Sequence, residues 1–330
     1  MFKGKKILFF SANFFGYQNE IKNGLVRLGA HVDFYDERPK NTFWTKALIR
    51  LDKRIMKPRI QRYYSNIIES TSQTNYDYVL FLKAEGINLK MLNKLRNTQP
   101  QAKFILFMWD SIKNSSKDIK ELFPLFDKIL SFDRKDVERN TFMFFRPLFY
   151  VDDYKNIGEI EEEISYDITF IGTGHTDRFA LVSKIKAFCN NNDLKGYFFI
   201  YLQDLKIYLV RKLFKRTYKN ARRRDFSFNP LTKNEIIGII KKSNCILDIQ
   251  RVVQSGLTMR TLEVLGARKK LITTNEDIVN YDFFNPNNIY VVDRENPRVP
   301  MEFIKGKYQD IDKEIYEKYS INSWLQEVFK

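Results

Sequence analysis

The stretch LDIQRVVQSGLTMRTLEVLGARKKLITTN, residues 247–275, contains the pattern that decides the fold. An apolar run is followed by a short polar loop, an amphipathic segment and a second apolar run, which predicts a strand, a loop, a helix and a strand. Ser255 and Thr258 are residue types that cap a helix, and Gly256 allows the backbone to approach a ligand closely. We therefore predict a βα unit whose loop can hold a ligand.

Charged side chains in the same stretch indicate the chemistry of that ligand. Backbone N–H groups at the start of the helix, with Arg251 and Arg260 nearby, form an anion site suited to a diphosphate. Glu263 lies further along the helix, where its carboxylate can accept hydrogen bonds from ribose hydroxyls. From spacing alone, the alternative is an ordinary capped βα unit in which Glu263 faces solvent.

The same alternation continues through the chain and predicts an α/β protein with two doubly wound domains on parallel sheets. The predicted strands are Lys5–Ser11, His31–Tyr35, Tyr78–Leu82, Phe104–Met108, Lys128–Ser131, Phe142–Phe145, Asp167–Ile171, Tyr197–Tyr201, Cys245–Ile249, Leu271–Thr273 and Ile289–Val292. The predicted helices include Tyr17–Leu28, Asn88–Asn97, Arg134–Arg139, Arg178–Cys189, Lys233–Lys242 and Thr258–Ala267.

A charged interruption predicts the domain boundaries. Residues 152–165 contain Glu159 and Glu161–Glu163 and are interpreted as a linker. The first domain is then residues 1–151 and the second is residues 166–310. One or two amphipathic helices over residues 311–330 are expected to close the chain.

The composition of the chain excludes several classes of protein. The 330 residues include 56 Lys+Arg and 40 Asp+Glu, a formal net charge of +16, which predicts an acidic partner: nucleic acid, an anionic membrane face or a phosphorylated substrate. A hydrophobic fraction of 44% excludes a disordered chain, and the isolated Cys189 and Cys245 exclude a disulfide framework. No apolar run is long enough to span a membrane, and the N-terminal run lacks a signal-peptide cleavage site. We expect a cytoplasmic protein.

The positive charge is concentrated in two segments, Lys40–Arg62 and Lys206–Arg224. Both interleave cations with apolar and aromatic residues, a pattern typical of membrane-surface helices. The alternative is a solvated basic face. The pair of segments favours peripheral attachment to the inner membrane face, where lipid-linked acceptors reside.

Further motifs extend the opening pattern. They are SGLTMRTLE at 255–263, KKLITTN at 269–275, YDITFIGT at 166–173, NPL at 229–231, KSNCILD at 242–248, FMWDS at 107–111 and YDERP at 35–39. Together they resemble bacterial GT-B glycosyltransferases, specifically the group-1-like branch of spore-maturation and surface-polysaccharide loci. The match covers residues 165–293 best and is patchier in the first half.

This resemblance implies two facing Rossmann-like domains with a deep cleft, an acceptor domain first and a nucleotide-sugar domain second. It implies that Gly172 and Thr173 lie in a loop near the phosphates, that Ser255, Gly256, Leu257 and Thr258 cradle the diphosphate, and that Glu263 binds the ribose. No metal and no cofactor are implied, because helix N-termini and cations stabilise the leaving diphosphate in this fold. The nucleotide sugar is a substrate.

Arg178 and His175 follow the first strand of the second domain. A cation at a helix start opposes the macrodipole, so Arg178 is expected to have an anion as its partner. His175 is a weaker candidate for a phosphate or acceptor contact, because a lone loop histidine is usually solvated.

Two positions depart from the family pattern. Ser255 stands eight residues before Glu263, where many retaining members have Glu, so the sequence leaves retention or inversion open. Arg268 stands where a Gly usually ends the helix in a left-handed conformation.

The catalytic group is expected from the first domain, at the carboxyl ends of its strands. Asp110 and Glu85 each follow a predicted strand, and a carboxylate there can deprotonate an acceptor hydroxyl as general base. Asp133 has a similar position, and Gly16 is expected to approach a ligand after the first strand. A helix cap or turn former is the alternative for each acid.

These observations predict a metal-independent glycosyltransferase that moves a sugar from a nucleotide-sugar donor to a lipopolysaccharide, capsule or related glycan. One alternative is a nucleotide-sugar epimerase on the same fold, which needs no acceptor. Another is a non-enzymatic, basic nucleic-acid-binding protein. Zinc-finger spacing and ribonucleoprotein motifs are absent from the sequence, so no nucleic-acid partner is expected.

Overall fold

The chain folds into two compact units. The structure is a computed structural model that describes residues 1–13, 15–38, 53–159, 162–174, 177–252 and 254–330. The first unit comprises Met1–Leu148 with Ile321–Lys330, and the second comprises Phe149–Ser320. Each unit has its own parallel sheet and its own apolar core.

The first unit contains a parallel sheet in the order β2-β1-β3-β4-β5-β6. Its strands are β1 Lys6–Ser11, β2 His31–Asp36, β3 Tyr78–Leu82, β4 Lys103–Met108, β5 Lys128–Ser131 and β6 Phe144–Phe145. Its helices up to residue 148 are α1 Tyr17–Arg27, α2 Lys53–Thr71, α3 Leu89–Thr98, α4 Ile119–Leu122 and α5 Arg134–Arg139. Strands β3 and β4 are buried along nearly their whole length, as expected for central parallel strands covered on both faces.

The second unit repeats this architecture, with a parallel sheet in the order β11-β10-β9-β7-β8. Its strands are β7 Tyr166–Thr173, β8 Gly196–Tyr201, β9 Ser243–Asp248, β10 Lys270–Thr273 and β11 Ile289–Val291. Its helices are α6 Asp152–Lys155, α7 Arg178–Asn191, α8 Leu205–Phe214, α9 Lys233–Lys241, α10 Met259–Gly266, α11 Met301–Lys305 and α12 Lys313–Lys318. Short 3-10 helices occur in both units. They lie at Ile112–Asn114 and Phe123–Leu125 in the first, and at Asn156–Glu159, Arg216–Tyr218, Arg223–Asp225 and Glu276–Asn280 in the second.

The last helix, α13 (Ile321–Phe329), belongs to the first unit although it follows the second in sequence. Trp324 is fully buried, and its ring centroid lies 4.8 Å from that of Phe107 on β4. The Lys128 ammonium donates to the Glu327 carbonyl at 2.8 Å. The end of the chain therefore completes the first core.

The predicted α/β class with two doubly wound parallel sheets is confirmed. Most strands match the predicted runs to within a residue or two, because parallel strands buried on both faces are continuous apolar runs. Strand β6 is shorter than the predicted Phe142–Phe145, and Phe142, which lies outside it, is exposed. Helices α2 and α8 lie in segments that the sequence marks only as basic and amphipathic.

In each sheet the strand order reverses once. The first sheet reverses between β1 and β3, and the second reverses between β7 and β9. We call each of these places a switch point. Open parallel sheets bind ligands outside the carboxyl ends of the strands at such a point. Each unit therefore has one place where a ligand is expected to bind.

Candidate active site

The switch point of the second unit contains a capped helix start. Thr258 caps α10, and its hydroxyl accepts a hydrogen bond from the Thr261 N–H at 3.3 Å. Asp248, the last residue of β9, accepts hydrogen bonds from the Thr258 hydroxyl at 2.6 Å and the Thr261 hydroxyl at 2.8 Å. This carboxylate fixes the first turn of α10 to the end of the strand, so the N–H groups of that turn have a defined direction.

The loop between β9 and α10 is held from the neighbouring strand. The Asn275 amide donates to the Ser255 carbonyl at 2.9 Å, and the Thr274 hydroxyl donates to Gln250 Oε1 at 2.7 Å. Ser255, Gly256 and Leu257 are buried, whereas Arg251 is exposed. The loop is therefore a fixed backbone segment with an exposed cation at its start.

Arg178 connects the two strands of this switch point. Its Nε and Nη2 donate to the Ile249 carbonyl at 2.8 and 2.6 Å, and its Nη1 donates to Thr173 Oγ1 at 3.2 Å. Burial lowers the pKa of Arg178 from its usual value, and nearby Asp248 opposes that shift. Arg178 thus joins the ends of β7 and β9 and adds positive charge beneath the loop.

Glu263 is buried on α10. Its Oε2 lies 2.7 Å from the Arg260 Nη1. Only 4% of Glu263 is exposed, so the alternative that it faces solvent is wrong. Tyr154 also borders this pair: burial is the main cause that raises its phenol pKa far above the usual value, and the Glu263 charge raises it further.

Gly172 and Thr173 lie within β7, because this strand runs two residues further than the sequence predicts, so their expected loop position is corrected. A Cβ on Gly172 would lie 2.8 Å from the Phe170 ring, so the packing at this position favours glycine. The Gly174 carbonyl accepts hydrogen bonds from Arg211 and Tyr218. His175 lies outside the described residues.

Carboxylates lie at and beside the switch point of the first unit, because Glu85 follows β3 and Asp110 follows β4, the next strand in the sheet. Asp110, just after β4, forms an ion pair with Lys83, just after β3. The Asp110 side chain keeps 21% of its surface exposed, and that of Glu85 keeps only 5%. Of the two predicted acids, Asp110 is therefore the one that solvent or a substrate hydroxyl can reach.

Glu85 belongs to a buried cluster with Arg38 and Glu37. The Arg38 Nη2 lies 2.6 Å from Glu85 Oε2. Glu37 accepts hydrogen bonds from the Ala84 N–H at 3.3 Å and the Glu85 N–H at 3.0 Å. Burial, helped by the Glu85 charge, raises the pKa of Glu37 to about 8.

The backbone at this cluster adopts uncommon conformations. Lys83 and Ala84 have φ of 78° and 52°, in the left-handed region that residues with a Cβ rarely enter. Gly86 approaches so closely that a Cβ on it would lie 1.7 Å from the Glu37 carbonyl oxygen. The strained pair turns the chain so that Lys83 meets Asp110 while Glu85 meets Arg38.

The remaining candidates of the first unit take structural positions. Gly16 precedes α1 with φ of 83°, and a Cβ there would have no atom within 4 Å. Asp133 caps α5 by accepting from the Lys135 N–H at 3.1 Å, and it also accepts from the Ser111 hydroxyl. For Asp133, the helix-cap alternative describes the observed contacts.

Sequence reasoning missed Lys83, Glu37, Arg38 and Asp248. The YDERP motif contains two of them, but nothing in it shows that Glu37 binds the backbone after β3. A strand-end position is the only signal that Lys83 and Asp248 share with the predicted residues.

The described residues also bear on metal and membrane sites. Among them, no three His, Cys, Asp or Glu side chains are grouped so as to hold a metal ion. Within the same part of the chain, no helix combines the length and the apolar character that crossing a bilayer requires.

Comparison with known proteins identifies the fold. No family model matches the sequence, and no curated protein is detectably similar to it. Among solved structures, an E. coli trehalose-6-phosphate protein bound with UDP-2-fluoro glucose is 9% identical, with a TM-score of 0.64 and 98% of each chain covered. An alpha-glucosyltransferase in complex with UDP and DNA is 12% identical, with a TM-score of 0.62, and covers 98% of this chain and 95% of its own.

A glycosyltransferase from Rickettsia africae ESF-5 is similar over the full length of both chains, at 12% identity and a TM-score of 0.60. At these identities the likeness shows the fold alone. The chain has the GT-B fold, with two Rossmann-like domains built on six and five parallel strands.

Proposed function

We propose that this protein is a glycosyltransferase that moves a sugar from a nucleotide-sugar donor to a glycan acceptor. The observation that carries the proposal is the strand–loop–helix at residues 243–266, which presents a capped helix start and an exposed Arg251 at a switch point. Helix N-termini bind phosphate groups through backbone N–H groups and the helix dipole. The GT-B fold of the whole chain agrees with this use of the second unit.

The donor diphosphate is proposed to bind at the start of α10. Ser255–Thr258 would supply backbone N–H groups, and Arg251 would supply a charged hydrogen bond. Arg178 and Thr173 already contact each other beside the loop. We propose that they hold the loop in place and that Arg178 adds positive charge near the diphosphate. Glu263 would accept the ribose hydroxyls in place of part of its contact with Arg260.

The uridine nucleotides are the first donors to test. Two structures of the same fold contain UDP or UDP-2-fluoro glucose. The proposed contacts at the start of α10 are to the diphosphate, and the base is identified by measurement.

The acceptor hydroxyl is proposed to lose its proton to Asp110. As the acceptor oxygen bonds to the anomeric carbon, the bond from that carbon to the diphosphate oxygen breaks, and the diphosphate leaves with its electron pair. The α10 N-terminus and Arg251 would stabilise the charge that develops on the leaving group. We propose this chemistry without a metal ion, since cations and N–H groups of the chain can supply that stabilisation.

Glu85 is assigned a positioning role in this scheme. It is almost completely buried and paired with Arg38, so a substrate hydroxyl cannot reach it without opening the cluster. Its contacts fix the turn that carries Lys83, and Lys83 in turn orients Asp110.

We propose a lipopolysaccharide, capsule or related surface glycan as the acceptor, with the protein on the cytoplasmic side of the membrane. The net charge of +16 suits an anionic or lipid-linked acceptor. Attachment through Lys40–Arg62 and Lys206–Arg224 stays a prediction, and most of the first segment lies outside the described residues.

A nucleotide panel tests the proposal. Thermal unfolding is followed with UDP, GDP, CMP, dTDP, ADP and their sugar conjugates, and a ligand at a hundredfold its dissociation constant stabilises the protein by about 2.7 kcal/mol. We expect one base to raise the unfolding temperature selectively, with the diphosphate required. A folded protein that responds to no member of the panel would contradict the donor site.

Two further experiments distinguish glycosyl transfer from the two alternative functions. An epimerase converts its nucleotide sugar with no acceptor present, so product formed from donor alone would favour that alternative. A nucleic-acid-binding protein would bind DNA with a strong salt dependence and ignore the nucleotide panel.

A further inference from the structure

Helix α8 presents an apolar face to solvent. Leu205, Leu209, Val210, Leu213 and Phe214 are all exposed, and Leu213 and Phe214 each keep 78% of their surface accessible. Spacing of three and four residues brings these side chains together on one side of the helix. We call this set the α8 apolar face. Grouped exposed apolar residues mark a surface that contacts a partner.

The opposite side of α8 is firmly attached to the second unit. Tyr208 is buried, its ring centroid lies 5.5 Å from that of Phe226, and its hydroxyl donates to the Ala221 carbonyl at 3.2 Å. Lys212 donates to the same carbonyl at 2.8 Å, and Arg211 donates to the Gly174 carbonyl. Because these contacts fix the helix, the α8 apolar face is held outward by the fold.

Exposed cations lie on this helix and in the segment that directly follows it. Lys206 lies on the helix between the apolar side chains, and further cations follow directly: Lys215, Arg216, Lys219, Arg222, Arg223 and Arg224. All of these are exposed, and no acidic residue occurs from residue 206 to residue 224. Within the described part of the chain, none of them forms an ion pair with a carboxylate.

We propose that α8 inserts its apolar face into the surface of an anionic lipid bilayer. Leu213 and Phe214 would enter the boundary between headgroups and acyl chains, while the exposed cations on and after the helix would bind the headgroup phosphates. Lys206 reaches past the apolar side chains to the same headgroup level. The surface is independent of nucleotide-sugar transfer, and it places the second unit where lipid-linked acceptors occur.

Charge complementarity alone would also suit nucleic acid, but the apolar residues favour lipid. Leu205, Leu209, Val210 and Leu213 have neither a π face for base stacking nor a hydrogen-bond donor. Packing these apolar side chains against a sugar-phosphate backbone would leave the backbone oxygens without hydrogen-bond partners. Packing them against acyl chains has no such desolvation cost.

Co-sedimentation tests the proposal on the full-length protein. Vesicles of phosphatidylcholine with phosphatidylglycerol are compared with pure phosphatidylcholine at low and high salt. We expect the wild type to bind only the anionic vesicles. Replacing Arg222, Arg223 and Arg224 together by Ala should lower the partition coefficient on the order of a hundredfold, and the double variant Leu213→Gln, Phe214→Gln should lower it about tenfold or more.

Matched variants control for charge and hydrophobicity. Replacing Lys186, Lys305 and Lys307 by Ala removes the same charge from exposed positions elsewhere in the second unit, and Val279→Gln removes an exposed apolar side chain. Both controls should bind like the wild type. In Phe214→Trp, the indole emission should shift to the blue on anionic vesicles only.

Each of the following outcomes would overturn the proposal. Failure of the wild type to bind anionic vesicles rules out the membrane surface, and unchanged binding by Leu213→Gln, Phe214→Gln rules out insertion. Tighter binding to duplex DNA than to vesicles, lost in the same variants, assigns the surface to nucleic acid. Thermal unfolding and the nucleotide panel, run on the same preparations, show whether a variant is folded and report on the donor site separately.

Discussion

Near the switch point of the first unit, carboxylates after the strands pair with Lys83 and Arg38. At that of the second unit, the one strand-end carboxylate described, Asp248, is bonded to the hydroxyls of a helix start that has an exposed Arg251 before it. Asp110 and Glu85 follow β4 and β3, while Thr258 and Arg251 follow β9. By the strand orders of the two sheets, β9 corresponds to β3 and β10 corresponds to β4, so the two sites use different strands as well as different side chains. We therefore propose the first site for proton transfer and the second for anion binding.

The largest expected effect is a loss of turnover when only the first site is changed. Asp110→Asn keeps the size of the side chain but removes the proposed base, so turnover should fall by about 10²–10⁴-fold. The donor dissociation constant should not change, because Asp110 belongs to the other site. Initial rates and calorimetry on the same protein measure both quantities.

Glu138→Gln is the control for Asp110→Asn, because Glu138 is an exposed acid on α5 of the same unit. It should retain wild-type turnover. Retained turnover in Asp110→Asn would remove this residue as the base, and an equal loss in both variants would indicate a general effect of charge.

A smaller effect is expected from the second site. Glu263→Gln should weaken nucleotide binding by about tenfold to a hundredfold, because the ribose hydroxyls would then donate to a neutral amide oxygen instead of a charged carboxylate. Glu263→Ala would also remove the ion pair between Glu263 and Arg260, and breaking a buried pair in this way costs about 3–5 kcal/mol. Calorimetry with the selected nucleotide gives the affinity, and Glu302→Gln on α11 is the control. Unchanged affinity in Glu263→Gln would contradict the ribose contact.

The Glu37 cluster predicts how the stability of the first unit depends on pH. The pKa of Glu37 is raised from about 4.5 to about 8, so the folded state holds a proton that the unfolded state has lost. The contribution of the protonated Glu37 carboxyl to the free energy of unfolding is therefore complete below pH 4.5, and it is lost as the pH rises toward 8. Glu37→Gln should flatten this decline, since an amide does not titrate.

Urea unfolding across this pH range measures the effect, with Glu69→Gln, an exposed acid on α2, as the control. The control should follow the wild-type curve. A Glu37→Gln curve parallel to the wild type would contradict a raised pKa for this group.

The smallest effect concerns the end of α10. Arg268 has φ of 49°, so an arginine adopts the left-handed conformation for which the family pattern has Gly. Its guanidinium lies 4.9 Å from the Tyr316 ring centroid. Arg268→Ala and Arg268→Gly both lose this contact, but only Gly relieves the backbone, so it should be more stable than Ala by about 1 kcal/mol. Equal stabilities would contradict a strained conformation at this position.

Much of this fold could be predicted because its signals are local. Strands such as β3 and β5 match their predicted bounds, since each is a short apolar run between polar residues. Thr258 was predictable as a helix cap from its position before an amphipathic segment. The sequence shows position 268 only as a departure, since Arg stands where Gly usually ends the helix, and the structure shows that Arg268 adopts the left-handed conformation.

The remaining features depend on contacts between distant segments. Lys83 and Asp110 are 27 residues apart, and only the pairing of β3 with β4 brings them together. The same holds for Arg38 and Glu85, which are 47 residues apart. The burial of Glu263 depends on Arg260 and Tyr154, and helix periodicity does not show how Tyr154 packs.

The most direct test of the division between the two sites is a nucleotide titration by calorimetry on three proteins: the wild type, Arg251→Ala and Asp110→Asn. We expect Arg251→Ala to weaken diphosphate binding about tenfold, as expected for one charged hydrogen bond. Asp110→Asn should bind like the wild type. Normal binding by Arg251→Ala together with lost binding by Asp110→Asn would contradict the account, because the nucleotide would then depend on the first unit.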